Sequence, residues 1–121
     1  MKFVLITNDQ ALANAAREGF PPSDQLLIFE KWQEALDACE GARLLLVDLI
    51  ATLETPHKIA GYEAFGTAKM SHPIASATPL VLISPDDSYD IDFLVGWEGF
   101  VFANIRRPVQ VETFRRVSTW I

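Results

Sequence analysis

Runs of apolar residues recur along the chain, separated by short segments that contain polar residues, glycine or proline. The central run, Ala42–Asp48, reads Ala-Arg-Leu-Leu-Leu-Val-Asp and ends at a carboxylate. Consecutive apolar residues without alternation are typical of a strand that is covered on both faces, as in the centre of a parallel sheet. The residue that ends such a strand lies at the carboxyl edge, where open α/β sheets bind ligands. Asp48 is therefore either a functional carboxylate or a strand-end residue that starts a turn.

The chain before this central run alternates between strand and helix patterns. Lys2–Thr7 and Leu26–Phe29 are apolar and rich in residues that favour strands. Gln10–Glu18 and Lys31–Glu40 place apolar residues on one helical face, and Gly19 is predicted to end the first of these helices. The order strand, helix, strand, helix, strand with short connections predicts a parallel sheet with right-handed crossovers.

After the central strand, the hydrophobic pattern is less regular, but strands and helices continue to alternate. The predicted elements are a long loop over Leu49–Ile59, a helix from Gly61 to about Met70, a loop over Ser71–Thr78, a fourth strand over Pro79–Ser84, a fourth helix over Asp90–Trp97, a fifth strand over Gly99–Phe102, and a closing helix over Val109–Ile121. Five strand–helix units in 121 residues predict one domain, residues 1–121, with the α/β flavodoxin-like (βα)5 fold, a three-layer sandwich around a five-stranded parallel sheet.

Composition and charge narrow the classes of function. The formal net charge of −6 argues against a nucleic-acid surface, which needs clustered lysine and arginine. The single cysteine, Cys39, excludes an internal disulfide and is expected in the core. No apolar run approaches the roughly 20 residues of a membrane span, and the apolar stretch after Met1 is too short for a signal peptide. We therefore expect a soluble cytoplasmic protein without membrane or nucleic-acid partners.

Polar side chains end several of the predicted strands, and the topology brings them to one crevice. These are Asn8 and Asp9 after the first strand, Asp48, Ser84, and a residue near Ala103–Arg107. Two carboxylates, Asp9 and Asp48, would offer the oxygen ligands that Mg²⁺ prefers, and a metal there would position a phosphate for attack by Asp48. Asp9 is equally suited to cap the first helix. The absence of glycine after the first strand argues against a nucleotide or flavin site.

On these residues the chain resembles the receiver domains of bacterial response regulators, the CheY-like superfamily, over essentially its whole length. The segments that carry the similarity are Val4–Asp9, Leu46–Asp48, Gly61–Phe65, Thr78–Ser84 and Arg107–Pro108. The resemblance implies a five-stranded sheet in the order 2-1-3-4-5. It also implies a role in two-component signalling.

The resemblance assigns roles to individual residues. Asp48 matches the aspartate that accepts phosphate from a histidine kinase, Asp9 matches one member of an acidic pair that binds Mg²⁺, and Ser84 matches a switch hydroxyl. Asn8 departs from the family because it replaces the other acid of the pair. Arg107, which precedes Pro108, stands nearest to a family lysine that is often followed by a cis proline, and it would contact the phosphate.

Structural alternatives accompany two of these assignments. Ser84 alternatively only ends a strand, and Arg107 alternatively is a solvated residue before a turn. If the fifth strand is aligned on Gly99–Val101, the lysine position falls near Ala103 and no cation matches it.

Large aromatic residues near the end of the chain exceed what a short amphipathic helix can bury. We expect some to be exposed and to form an interface with a protein partner or a homodimer, through the predicted fourth helix, fifth strand and closing helix. The candidate interface residues are Tyr89, Phe93, Trp97, Phe102 and Trp120. Receivers use the same face for output and dimerisation, which favours this interpretation over ordinary core filling.

We interpret the chain as a stand-alone, atypical receiver or pseudo-receiver that acts through protein–protein contacts without phosphorylation, and not as an enzyme. The alternative is a conventional single-domain response regulator that a histidine kinase phosphorylates on Asp48 in a phosphorelay. An unrelated flavodoxin-like enzyme has little support because no nucleophile–base pair or phosphate loop is visible. The loop between Asp48 and Gly61 is about five residues longer than the resemblance implies. It is expected to lie over the acidic pocket, where it would either cover Asp48 or alter access to it.

Overall fold

A five-stranded parallel sheet forms the centre of the protein, in a computed structural model that describes residues 1–53, 60–85 and 100–120. The strands are β1 (Lys2–Ile6), β2 (Gln25–Phe29), β3 (Ala42–Asp48), β4 (Leu80–Ser84) and β5 (Ala103–Arg106). Their order across the sheet is β2-β1-β3-β4-β5, and every neighbouring pair is parallel. The predicted strand order and flavodoxin-like fold are therefore confirmed.

Helices cover both faces of this sheet. They are α1 (Gln10–Gly19), α2 (Trp32–Asp37), α3 (Leu49–Thr52), α4 (Ala60–Ser71) and α5 (Val111–Val117), with a short 3₁₀ helix over Ala75–Ala77. Alternate residues of each strand point to opposite faces. In β1, for example, Val4 and Ile6 join a core cluster with α2, α3 and α4, whereas Phe3 and Leu5 join a second cluster with α1 and α5. The three layers follow from this alternation.

Gly19 is the last residue of α1, in agreement with the prediction, and it also forms a close helix contact. It lies where α1 meets α5, and an added Cβ would be 2.6 Å from both the Cβ of Phe114 and the carbonyl oxygen of Val111. The two helices pack closely because this residue lacks a side chain. The C-cap residue of α1 is Phe20, whose backbone N–H donates to the carbonyl of Ala16.

The predicted fifth strand was wrong. Gly99–Phe102 has the more apolar sequence, but the strand is Ala103–Arg106. Phe100 is buried against the cluster beneath α4, so its apolar character reflects packing of the connection and not strand pairing. In β5 only Ile105 is buried, because this strand lies at the edge of the sheet and presents polar residues to solvent.

Other predicted boundaries also change. The second helix is shorter than Lys31–Glu40, because the chain turns towards β3 through Gly41, which has φ of 76°. The predicted loop after Asp48 begins with one helical turn, α3. The closing helix ends at Val117, where hydroxyls of Ser118 and Thr119 donate to carbonyls of the last turn.

Several predictions fall on residues that are not described. These are the remainder of the long loop over 54–59, the helix over Asp90–Trp97, Gly99 and Ile121.

The packing of the described residues agrees with the prediction that Cys39 is a core residue, since its side chain is 1% exposed. Phe114 and Val117 of α5 are fully buried.

Candidate functional site

Asp48 is fully buried at the carboxyl end of the central strand β3. Its Oδ2 accepts a hydrogen bond from the hydroxyl of Thr7 at 2.8 Å and a second from Nη2 of Arg107 at 2.5 Å. Its Oδ1 has no hydrogen-bond partner among the described residues. One oxygen of this carboxylate is therefore saturated with donors, and the other retains its full capacity to accept or to react.

Asp9 performs two functions with its two carboxylate oxygens. Oδ1 accepts the backbone N–H groups of Ala11 (2.9 Å) and Leu12 (3.3 Å), so the residue caps α1 as predicted. Oδ2 accepts Nη1 of Arg107 at 2.7 Å. That hydrogen bond lowers the pKa of Asp9 below its ordinary value of 3.8, against an opposing effect of burial. Asp9 is consequently ionised throughout the physiological pH range.

Arg107 joins the two carboxylates. It follows β5 directly, and the register that pairs Ser84 with Arg106 places it at the carboxyl edge, where its backbone N–H donates to the carbonyl of Ser84 at 2.9 Å. Burial opposes the charged form, but the carboxylates of Asp9 and Asp48 outweigh that effect and raise the pKa of Arg107. The peptide bond between Arg107 and Pro108 is cis. The alternative alignment, which left no cation at this position, is wrong because β5 spans Ala103–Arg106 and Arg107 follows it at the carboxyl edge.

Ser84 does not join this ion-pair cluster. It is fully buried at the end of β4, and its hydroxyl donates to Oδ1 of Asn104 in β5 at 3.1 Å. Within the described parts of the chain, this hydroxyl forms no hydrogen bond with Asp48 or Arg107. The role of Ser84 as a switch hydroxyl stays a prediction, since the residue has the right position but a different partner.

Two polar contacts at this edge were missed from the sequence. Thr7 is 2% exposed, donates to Asp48 and accepts the backbone N–H of Asp9 at 3.1 Å, so it links the two acids. Its position at the end of the first strand, before Asn8-Asp9, was the available signal. Asn104 is the only amide in β5, and its partner Ser84 could be identified only after the register of that strand was known.

The carboxylate oxygens of Asp9 and Asp48 are poorly arranged to bind a divalent cation. Both oxygens of Asp9 and one oxygen of Asp48 already accept hydrogen bonds, and the guanidinium of Arg107 lies between the two residues. Asn8 is exposed at the same edge. Among the described residues there is no group of three or more histidine, cysteine, aspartate or glutamate side chains that could hold a metal ion. The guanidinium of Arg107 is thus already bound to carboxylate oxygens that a divalent cation would need as ligands.

The candidate interface residues have different environments. Phe102 is 52% exposed, as expected for a contact residue, whereas Trp120 is only partly exposed and packs against the core cluster under α1 and α5. Trp120 therefore keeps part of its surface exposed, and its role in an interface stays a prediction. Tyr89, Phe93 and Trp97 lie outside the described residues.

Solved structures that are similar to this chain include receiver domains and response regulators. A CheY-like receiver domain protein from Methanospirillum hungatei JF-1 is 13% identical, with a TM-score of 0.70 over 98% of this chain and 90% of that chain. The phosphorylated cyanobacterial phytochrome response regulator RcpA is 18% identical, with a TM-score of 0.66 over 97% and 88% of the two chains. The receiver domain of a sensor histidine kinase from Pseudomonas aeruginosa PAO1, solved with a magnesium ion in its active-site cleft, is 10% identical, with a TM-score of 0.67 over 97% and 93%.

The chain therefore has the receiver-domain fold. No protein-family model matches its sequence, and no curated protein is significantly similar to it. None of the described helices is both long and apolar enough to span a membrane.

Proposed function

We propose that this chain is a receiver-like signalling protein that acts through protein contacts and does not depend on Mg²⁺-assisted phosphorylation. The observation that carries this proposal is the guanidinium of Arg107, which bridges Asp9 and Asp48. A fold of this kind hosts many functions, so the function has to be argued from the site. The site here differs from an open acidic pocket because the protein supplies its own cation.

The electrostatics support a site that is stable without a metal. Two carboxylates close together repel each other, and a buried carboxylate is costly unless it is paired and hydrogen-bonded. Arg107 supplies one positive charge and two directed donors to the pair, and Thr7 supplies a further donor to Asp48. The repulsion that would recruit a divalent cation is thereby reduced to one uncompensated negative charge.

The burial of Asp48 also favours a function that does not depend on phosphorylation. Asp48 is fully buried, and the Arg107 side chain above it is 19% exposed. A phosphodonor would reach the Asp48 carboxylate only after Arg107 had left both acids, which breaks two charge-assisted hydrogen bonds. A partner protein, in contrast, can recognise the folded surface without disturbing this cluster.

A second candidate function is phosphorylation of Asp48, and one observation favours it. Oδ1 of Asp48 has no partner among the described residues. A carboxylate oxygen with free lone pairs can attack the phosphorus of a phosphodonor, whose leaving group departs with the bonding electron pair. The cyanobacterial regulator of the same fold was solved in a phosphorylated state.

Incubation with acetyl phosphate and Mg²⁺, followed by intact-mass measurement, separates the two functions. We expect neither the wild-type protein nor the Asp48→Asn variant to gain a phosphate adduct. An adduct that appears in the wild-type protein and is absent from Asp48→Asn would overturn the proposal in favour of phosphorylation. The same reaction without Mg²⁺ is the control for non-specific acylation or phosphorylation elsewhere.

A further inference from the structure

A second candidate site lies at the opposite, amino-terminal edge of the sheet. A groove of about 550 Å³ is bounded by the end of α4, the turn before β4 and the segment that leads into β5. Its lining consists of Lys69, Met70, Ser76–Leu80 and Phe100–Phe102. This volume falls within the range of about 300–1,000 Å³ that is typical of small-molecule sites.

Lys69 is an unusual residue for this position. It is only 4% exposed, and its Nζ lies 5.5 Å from the centroid of the Phe100 ring. Within residues 1–53, 60–85 and 100–120, this ammonium group donates no hydrogen bond and forms no ion pair. Lysine is rarely buried unless it is paired, because its charged form loses hydration. Burial accordingly lowers the pKa of Lys69 below its ordinary value.

The neighbouring thiol does not supply the missing anion. Cys39 is 1% exposed, its Sγ donates to the carbonyl of Ala35, and burial raises the pKa of this thiol despite the opposing influence of Thr78 and Lys69. Cys39 is therefore a neutral thiol near pH 7. The ring of Phe100 offers some stabilisation to the cation, but it cannot replace a hydrogen-bond acceptor. Lys69 thus carries a cost in stability that its contacts do not explain.

We propose that this groove binds a small organic carboxylate with an apolar body, and that Lys69 is the counter-ion of the carboxylate group. One ammonium group matches a monoanion, whereas a dianion would leave a negative charge in a chain of net charge −6. Two residues that carry hydroxyl groups, Ser76 and Thr78, belong to the same lining. Met70 and Phe102 are 49% and 52% exposed and line the groove, so they supply the surface for the apolar body. This inference does not rest on the function proposed for the carboxyl edge.

The test uses 3-phenylpropionate and the uncharged 3-phenylpropan-1-ol as probes of equal apolar size. In titrations followed by amide resonances, we expect the carboxylate to give saturable shifts at Thr78 and Phe100 in the millimolar range. The alcohol should bind about ten- to a hundredfold more weakly, because it lacks the charge-assisted hydrogen bond to Lys69. Equal binding of the two probes, or no saturable shift with the carboxylate, would overturn the proposal.

A variant and its matched control locate the binding. Lys69→Met removes the charge and keeps the apolar stem, and it should abolish the preference for the carboxylate. Lys31→Met removes the charge of an exposed lysine elsewhere and should leave the affinity unchanged. If Lys69→Met does not fold, the wild-type pH dependence gives the same answer. Affinity should fall as the pH rises through the lowered pKa of Lys69, and a constant affinity would contradict the assignment.

Discussion

The guanidinium of Arg107 donates a hydrogen bond to Oδ2 of Asp48, a residue 59 positions earlier in the chain. The same guanidinium donates to Asp9, which is 98 positions away. These contacts tie the end of β5 to the ends of β3 and β1 at one edge of the sheet. The site is therefore a closed ion-pair cluster, and its properties can be tested one residue at a time.

Arg107→Ala should destabilise the protein and create a binding site for Mg²⁺. Removal of the guanidinium leaves the buried Asp48 carboxylate unpaired, which typically costs about 3–5 kcal/mol of the free energy of unfolding. Mg²⁺ should then raise the thermal midpoint of Arg107→Ala, because a ligand that binds only the folded state stabilises it by mass action. The wild-type midpoint should not change with Mg²⁺.

Arg106→Ala is the matched control for this experiment. Arg106 is exposed and forms no ion pair in the described part of the chain, so its loss should change the free energy of unfolding by about 0.5 kcal/mol or less. Urea unfolding of both variants measures the difference. Equal losses for the two arginines, or stabilisation of the wild-type protein by Mg²⁺, would contradict the closed cluster.

Thr7→Val should reveal how strongly Asp48 depends on its hydroxyl partner. The substitution keeps the shape of the buried side chain and removes the donor to Asp48 and the acceptor of the Asp9 N–H. We expect a loss of about 1–3 kcal/mol in the free energy of unfolding, since a buried charged acceptor and a backbone donor each lose a partner. Thr7→Ser keeps the hydroxyl and should lose clearly less. Denaturant unfolding in which Val and Ser cost the same would assign the loss to packing instead.

Asp9→Asn should reduce stability at neutral pH and have little effect in acid. The pKa of Asp9 is lowered in the folded state, so its ion pair contributes stability above the ordinary value of 3.8, and this contribution disappears as the pH falls through the lowered value. Asparagine is also a good helix cap, so the change isolates the contact with Arg107. The Asp9 side chain is 35% exposed, which limits the expected loss to about 1 kcal/mol or less.

Unfolding free energies measured at pH 7 and near pH 2.5 provide the comparison for Asp9→Asn. The difference between the wild-type protein and the variant should shrink at the lower pH. Glu18→Gln, which changes an exposed carboxylate in the same helix, serves as the control. A difference that stays constant across this range would show that the ion pair with Arg107 does not stabilise the fold.

Gly19→Ala should be destabilising even though alanine favours helices. The new Cβ would lie 2.6 Å from Phe114 and from the carbonyl of Val111, so α1 and α5 would have to separate. Overpacking of this kind costs about 1–3 kcal/mol, more than the roughly 1 kcal/mol gained in helix propensity. Glu18→Ala changes the exposed neighbouring residue and should have little effect. Thermal unfolding that ranks Gly19→Ala as more stable than wild type would refute the close contact.

Local patterns were sufficient to predict the first four strands, the cap at Asp9 and the position of Asp48. A buried strand in a parallel sheet has to be apolar on both faces, so its sequence is distinctive wherever it occurs. A helix cap likewise involves residues that are neighbours in the chain. These features depend on interactions over a few positions, which can be read directly from the order of residues.

The remaining features depend on contacts between distant segments. The edge strand β5 alternates between buried and exposed residues and could not be distinguished from the more apolar segment around Phe100. Whether Arg107 was solvated or part of the site depended on the pairing of Ser84 with Arg106. That Gly19 also allows two helices to touch depended on the position of α5. Packing decides such cases because a side chain has the same local sequence whether its partner is solvent or a residue many positions away.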